Sequence, residues 1–134
     1  MSPYVAEFIG TALLILLGNG VVANVVLQKT NGYSSGWIVI TFGWAIAVFT
    51  GVFVVGQFSG AHINPAVTIG LALAGKFAWI KVVPYIACQL GGAFIGACLV
   101  YLTYRGHYNA TEDADGKKAT FCTAPGIRNI GNNL

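Results

Sequence analysis

Three long apolar runs alternate with shorter polar stretches along the chain. They cover about residues 4–27, 37–58 and 82–104. Each contains roughly the 20 residues that a helix needs to cross the hydrocarbon core of a bilayer. No Lys or Arg precedes the first run, which is also too long for the core of a signal peptide, so we expect it to be a retained membrane helix. The pattern predicts three transmembrane helices.

A fourth apolar segment, at about residues 65–74, is too short to cross a membrane. Its roughly ten residues reach about 15 Å as a helix, which is half of the hydrocarbon core. Its ends carry helix signals: Asn64 suits the N-cap, Pro65 the first helical position and Gly75 the stop. The sequence therefore predicts a re-entrant half-helix here.

The composition excludes a soluble domain. Of the 134 residues, 56% are hydrophobic and 8% are charged, with a net charge of +3. Soluble domains are about a quarter charged. The basic residues never cluster beyond a pair, so the chain is not expected to bind nucleic acid. We expect an all-α integral membrane protein with the lipid bilayer as its main partner.

The chemistry-bearing residues do not form an active site. Cys88 and Cys98 lie in an apolar run and Cys122 in a polar tail, without metal-site spacing. The sequence contains no recognisable nucleophile–base pair. We therefore expect no metal, no cofactor and no enzymatic activity.

Residues 106–134 are polar and are predicted to form an aqueous loop or tail. It holds a glycosylation sequon at Asn109, whose meaning depends on the source of the protein. Lys76 and Lys81 flank the spans on one side and Lys29 and Arg105 on the other. The charges are balanced, so they leave the orientation in the membrane open.

The sequence SGAHINPAV, residues 59–67, places a helix-breaking polar stretch at membrane depth. Non-helical backbone is tolerated there only inside protein or beside a water-filled cavity, so the loop is expected to line a path. The carbonyls of Gly60 and Ala61 are candidate acceptors along it. Asn64 supplies a donor at the positive end of the half-helix. Such a path would pass water or a small neutral hydroxylated solute and oppose cations.

Three further polar residues are candidate supports of this loop. An acid within a membrane helix needs partners, and for Glu7 we expect the backbone N–H groups of the loop 59–63. The alternative is an interfacial acid that touches water. His62 is interpreted as bonding backbone rather than as a ligand or proton carrier. Gln89 is expected to satisfy loop carbonyls.

Three stretches together resemble one family: AEFIGT at residues 6–11, SGAHINPAV at 59–67 and QLGGA at 89–93. The chain resembles the aquaporin and glycerol-facilitator channels, the major intrinsic proteins. The resemblance implies an inverted repeat of six membrane helices and two half-helices, each half-helix presenting an Asn at mid-membrane. It identifies Asn64, Pro65 and Ala66 as the first of these motifs. It identifies Gly60, Ala61 and His62 as the loop whose carbonyls line the pore.

Trp44 corresponds to a position in the family's selectivity filter, twenty residues before Asn64. Glycerol facilitators typically have Trp there and water-selective aquaporins Phe. The resemblance therefore implies passive transport of glycerol, other small neutral solutes and water. A water-selective aquaporin is the alternative, as is a Trp44 that is simply buried or faces lipid. The segment 119–125 also resembles the long outer loop of the glycerol facilitators.

The resemblance covers the N-terminal half of the family only. Residues 1–105 would be the first repeat, and residues 106–134 an extracellular or periplasmic loop leading towards a second repeat. The family implies a multi-pass protein of the plasma or inner membrane and a homotetramer. Two alternatives stay open: a non-conducting fragment or interaction module, and a half-size channel built from two oppositely inserted copies.

Overall fold

The fold consists of helices, as the apolar runs predict. A computed structural model describes residues 1–123, and within that range the chain forms helices and loops without a β-strand. A 3₁₀ turn at Trp79–Lys81 leads directly into the fourth helix. The helices are α1 (Pro3–Val26), α2 (Trp37–Ser59), α3 (Pro65–Leu73), α4 (Val82–Ala110) and α5 (Ala114–Ala119).

Three of these helices are long and apolar enough to cross a membrane. They are α1 with 24 residues, α2 with 23, and α4, which spans 32 residues together with the 3₁₀ turn. At 1.5 Å per residue, α1 alone is about 36 Å long, more than the hydrocarbon thickness of about 30 Å. With the nine-residue α3 as the half-helix, the predicted fold class is confirmed.

The C-terminal region has more helix than the sequence pattern predicts. The helix α4 continues six positions beyond residue 104, and α5 occurs in a stretch predicted to be loop. Contacts with the residues after α1 hold the end of α4, since Gln28 N–H donates to Thr111 Oγ1 at 2.9 Å and His107 Nδ1 lies 3.1 Å from Gln28 O. The helix α5 packs against α1. Asp113 caps α5 by accepting the N–H of Asp115. Part of the segment 119–125 and the end of the loop 106–134 lie outside the described residues.

The helix α1 lies between α2 and α4 and packs against both. Glycines allow a close approach to α4. An ideal Cβ at Gly92 would lie 2.1 Å from Phe8 O, and one at Gly96 would lie 2.6 Å from Ala12 O. Only a hydrogen fits at these positions, so the two backbones are in direct contact. Close backbone packing of this kind is how membrane helices associate.

Large apolar side chains cover the outer faces of α2 and α4. Phe53 is 76% exposed and Phe94 is 68% exposed. A surface of this kind is stable only against lipid or against further protein. The polar residues considered next lie on the opposite, inner side, where α1, α3 and α4 meet.

Candidate pore-lining site

The loop between α2 and α3 has an unusual backbone. Gly60 ends α2 with φ of 82°, and Ala61 and Ile63 also have positive φ, 48° and 42°. For residues with a Cβ this region costs roughly 1–2 kcal/mol each. Such a conformation persists only when its surroundings hold it.

The carboxylate of Glu7 provides that hold. It is completely buried on α1. Its Oε1 accepts the N–H of His62 at 2.9 Å and the hydroxyl of Ser59 at 2.6 Å. Its Oε2 accepts the N–H of Ile63 at 2.7 Å and the amide Nε2 of Gln89 at 2.7 Å. Each oxygen thus receives two donors, which is what an ionised carboxylate, with acceptors only, can satisfy.

These bonds determine which way the loop carbonyls point. In a trans peptide the N–H and C=O of one unit point in opposite directions, and the described residues contain no cis bond. The N–H groups of His62 and Ile63 point at Glu7. The carbonyls in the same peptide units, those of Ala61 and His62, therefore point away from the buried carboxylate. Likewise the N–H of Ala61 donates to Ser59 Oγ at 3.1 Å, which turns the Gly60 carbonyl away from Ser59.

Thr68 of α3 links the loop to Gln89 of α4. Its buried Oγ1 accepts from Gln89 Nε2 at 2.9 Å and lies 3.1 Å from His62 Nδ1. It also donates to Asn64 O at 3.1 Å. The contacts of the Gln89 amide are therefore Glu7 and Thr68 rather than the loop carbonyls that were expected. The carboxylate is the stronger acceptor, since hydrogen bonds to an ionised group are shorter and stronger than neutral ones.

The ring of His62 is enclosed by aromatic residues. Its centroid lies 4.7 Å from that of Phe77 and 5.1 Å from that of Tyr85. Its Nδ1 faces the Thr68 hydroxyl, so the ring bonds a side chain rather than the expected backbone group. Tyr85 adds a further bond to the loop, donating its hydroxyl to Ser59 O at 3.2 Å. Enclosure of this kind fixes the orientation of the imidazole.

Sequence reasoning did not identify Thr68 and Tyr85 as part of this site, although signals for both exist. Thr68 lies four residues after Asn64 and so one helical turn along α3. Tyr85 lies four residues before Gln89, on the same face of α4.

Asn64 occupies the N-cap of α3. Its backbone is extended, and its Oδ1 accepts the N–H of Ala66 at 2.8 Å. Pro65 takes the first helical position, and Gly75 with φ of 69° follows the end of the helix. The Asn64 side chain is exposed, as is Ala66. The Nδ2 donor of Asn64 is thus accessible beside the positive end of the α3 dipole.

Trp44 does not belong to this cluster. It lies on α2, fifteen positions before Ser59, which is about 22 Å along a helix. The ring is half-buried and packs on α1 at Gly18. The structure thus brings together Glu7, His62, Gln89 and the backbone before Asn64, and it places Trp44 at a separate level of α2.

Comparisons with known proteins support one family. The model of the major intrinsic protein family matches residues 1–129. A probable glycerol uptake facilitator protein of Thermotoga maritima is 63% identical over 134 residues, covering 100% of this chain and 57% of that protein. The glycerol uptake facilitator protein of Streptococcus pneumoniae strain R6 is 56% identical with the same coverage. The chain thus spans 57% of the length of these curated relatives.

A solved structure resembles the fold as well. The aquaglyceroporin from Plasmodium falciparum superposes with a TM-score of 0.74 at 42% sequence identity. The match covers 80% of this chain and 43% of that one.

Proposed function

Because the chain belongs to the major intrinsic protein family, we propose that it forms one wall of a membrane channel that passes glycerol, other small neutral solutes and water. In this function it conducts solutes passively and makes or breaks no bonds. The chain is a multi-pass membrane protein, with three membrane-length helices in residues 1–123.

The observation that carries the proposal is the orientation of the loop. Glu7 takes up the N–H groups of His62 and Ile63 on one side. The carbonyls of Gly60, Ala61 and His62 are thereby available on the other side. A row of carbonyl acceptors can replace part of the hydration shell of a polar solute. This exchange lowers the free-energy cost of dehydrating the solute as it enters a narrow path.

The start of α3 gives the proposed path its preference for neutral solutes. The Nδ2 group of Asn64 is a donor for a solute oxygen, and the half-buried Pro65 and the exposed Ala66 begin the first turn behind it. The N-terminal end of α3 carries the partial positive charge of the helix dipole, which is unfavourable to cations. Donor and acceptors together suit a hydroxyl group, which both donates and accepts.

Trp44 favours glycerol over water as the main solute. An indole presents a broad apolar wall on which the carbon chain of a polyol can lie while its hydroxyls bond elsewhere. The relatives from T. maritima and S. pneumoniae are named for glycerol uptake, and the P. falciparum neighbour is an aquaglyceroporin. These names support the same assignment here.

Closure of the pore requires protein beyond the described helices. The T. maritima relative is longer than the matched region and so contains further protein that can supply it. We propose that residues 1–105 form the first repeat and that residues 106–134, which include the end of α4 and α5, form the outer connection to a second repeat. The proposed setting is the cell membrane, with the assembly into tetramers implied by the family.

Stopped-flow light scattering of proteoliposomes tests the proposal. The protein measured is residues 1–134 joined to the remaining C-terminal part of the T. maritima relative, here called the completed chain. We expect faster swelling in an inward glycerol gradient than with empty liposomes, and no increase in sodium leakage. Glycerol entry equal to that of empty liposomes would contradict it.

The chain by itself, reconstituted in parallel, separates the alternatives. Swelling by residues 1–134 alone would favour a half-size channel of oppositely inserted copies. No swelling, with a conducting completed chain, identifies residues 1–134 as a wall that needs the remaining protein.

A further inference from the structure

Trp44 rests directly on the backbone of α1 at Gly18. An ideal Cβ at Gly18 would lie 2.5 Å from Cζ3 of the Trp44 ring and 2.6 Å from both Cε3 and Cη2. These three atoms all belong to the six-membered ring. Carbon atoms in favourable contact are about 3.5–4.0 Å apart, so a methyl group has no room at this position. Gly18 is buried, whereas Trp44 is only half-buried.

We propose that Gly18 is a positioning residue for Trp44 and thereby helps to set which solutes pass. With hydrogen at position 18, the indole lies against α1 and leaves space on its open side. A Cβ there would push the ring outward by about 1 Å, the difference between 2.5 Å and an ordinary carbon contact. The part of this inference that concerns solutes rests on the proposed function and on Trp44 as a wall of the path.

Two other glycines of α1 and α2 show that this contact is specific. An ideal Cβ at Gly20, two positions further along α1, meets no heavy atom within 4 Å in residues 1–123. At Gly43 on α2 it would meet Val21 at 2.6 Å. The three nearest atoms at Gly43 thus all belong to the aliphatic Val21, whereas the three nearest at Gly18 all belong to the Trp44 ring. Gly43→Ala is therefore the control for helix spacing, and Gly20→Ala is the control for adding a methyl group to α1.

The solute class that would sense this displacement is a small polyol. Its carbon chain is wider than a water molecule and must lie along the ring. An outward shift of the indole therefore hinders the passage of a three-carbon chain before it hinders the smaller water molecule. Gly18 would thus affect the glycerol-to-water permeability ratio more than water permeability itself.

Fluorescence of the chain itself tests the packing without requiring a conducting pore. Trp37 and Trp79, which are 75% and 58% exposed, are replaced by Phe so that Trp44 is the only tryptophan. In lipid nanodiscs, Gly18→Ala is expected to change the emission maximum of Trp44 and its quenching by acrylamide. Gly20→Ala should leave both unchanged. Equal spectra for Gly18→Ala and the parent, in protein with unchanged helical circular dichroism, would overturn the positioning role.

Transport by the completed chain tests the consequence for solutes. We expect Gly18→Ala to lower the glycerol-to-water permeability ratio and Gly20→Ala to leave it unchanged. Gly43→Ala should change the two permeabilities by the same factor and so leave the ratio unchanged. Adding Gly18→Ala to Trp44→Phe should cause little further change, because the smaller ring can yield to the methyl group. This loss of additivity is the signature of direct contact between two residues.

The outcomes distinguish this inference from the proposed function. If the unaltered completed chain fails to conduct glycerol, the proposed function fails and so does the role of Gly18 in solute choice, while the fluorescence still decides the packing. If it conducts, and Gly18→Ala lowers glycerol and water permeability equally with or without Trp44→Phe, Gly18 only spaces the helices and the inference is overturned.

Discussion

Glu7 and Ile63 are 56 positions apart in the sequence, and Glu7 Oε2 accepts the Ile63 backbone N–H at 2.7 Å. This bond joins α1 to the loop before α3. It holds a residue with positive φ immediately before Asn64, and so sets the point at which the half-helix begins. The conformation of the loop thus depends on a charged side chain near the N-terminus.

The first prediction concerns the acceptors of Glu7. Glu7→Gln keeps the size of the side chain but replaces one acceptor oxygen with an NH₂ group that faces two donors. Because buried bonds to a charged group contribute about 1.5–3 kcal/mol each, we expect a loss of about 2–4 kcal/mol in unfolding free energy. Thermal unfolding in detergent, followed by circular dichroism, measures it. Glu112→Gln, at an exposed position, is the control, and equal unfolding midpoints for the two variants would contradict the brace.

The second prediction concerns the hydroxyl of Thr68. Thr68→Val removes the atom that contacts Gln89, His62 and Asn64 and keeps the shape of the side chain. We expect a loss of about 1–3 kcal/mol, the cost of leaving a buried partner unsatisfied. The exposed Thr41 donates to Trp37 O, one turn earlier on its own helix, so Thr41→Val should change the unfolding midpoint far less. A similar effect of both variants would show that Thr68 does not link α3 to α4.

The contact between α1 and α4 gives a third prediction. A Cβ at Gly92 would collide with the backbone oxygen of Phe8, so Gly92→Ala should force the helices apart and lower the unfolding midpoint. Gly106 lies on the same helix, and a Cβ there meets no heavy atom within 4 Å in the described part of the chain. Gly106→Ala should therefore be neutral or stabilising by up to about 1 kcal/mol. A stable Gly92→Ala protein would refute the direct backbone contact.

The sequence predicts the membrane-spanning helices well because lipid requires each to be an apolar run of membrane length. Apolar runs of membrane length identify α1 and α2 nearly to the residue, and Asn64, Pro65 and Gly75 identify α3 because caps act locally. The end of α4 and the helix α5 were not predicted. The end of α4 depends on contacts of Gln28 with His107 and Thr111, and α5 packs against α1; these contacts form only after the chain has folded.

The site was predictable where one buried residue required hydrogen-bond donors. Glu7 in an apolar helix requires donors, and loop N–H groups are the nearest class of donor; the structure places two of them on its carboxylate. The partners of Gln89 and His62 were not predictable in the same way. An amide or imidazole is satisfied equally by backbone or by a hydroxyl, so only the folded arrangement selects Thr68.

Asn64 gives a fourth prediction, which separates its two groups. Asn64→Asp retains the cap oxygen that accepts the Ala66 N–H, and Asp is as good an N-cap as Asn, so stability should change little. The Nδ2 donor is lost. Losing one hydrogen bond worth about 1.4 kcal/mol lowers glycerol permeability roughly tenfold in the completed chain. Asp113→Asn, at the N-cap of α5, is the control for exchanging Asn and Asp at a helix cap. Undiminished glycerol entry with Asn64→Asp would exclude the Nδ2 donor from the path.

The most direct test of the account compares glycerol and water permeability of the completed chain with Trp44 and with Trp44→Phe. Losing about 30 Å² of apolar contact at roughly 25 cal/mol per Å² is worth about 0.7 kcal/mol, a threefold effect. We predict that the glycerol-to-water permeability ratio falls by about this factor, with water permeability maintained. An unchanged ratio in a conducting protein would contradict the claim that this chain supplies the wall along which glycerol passes.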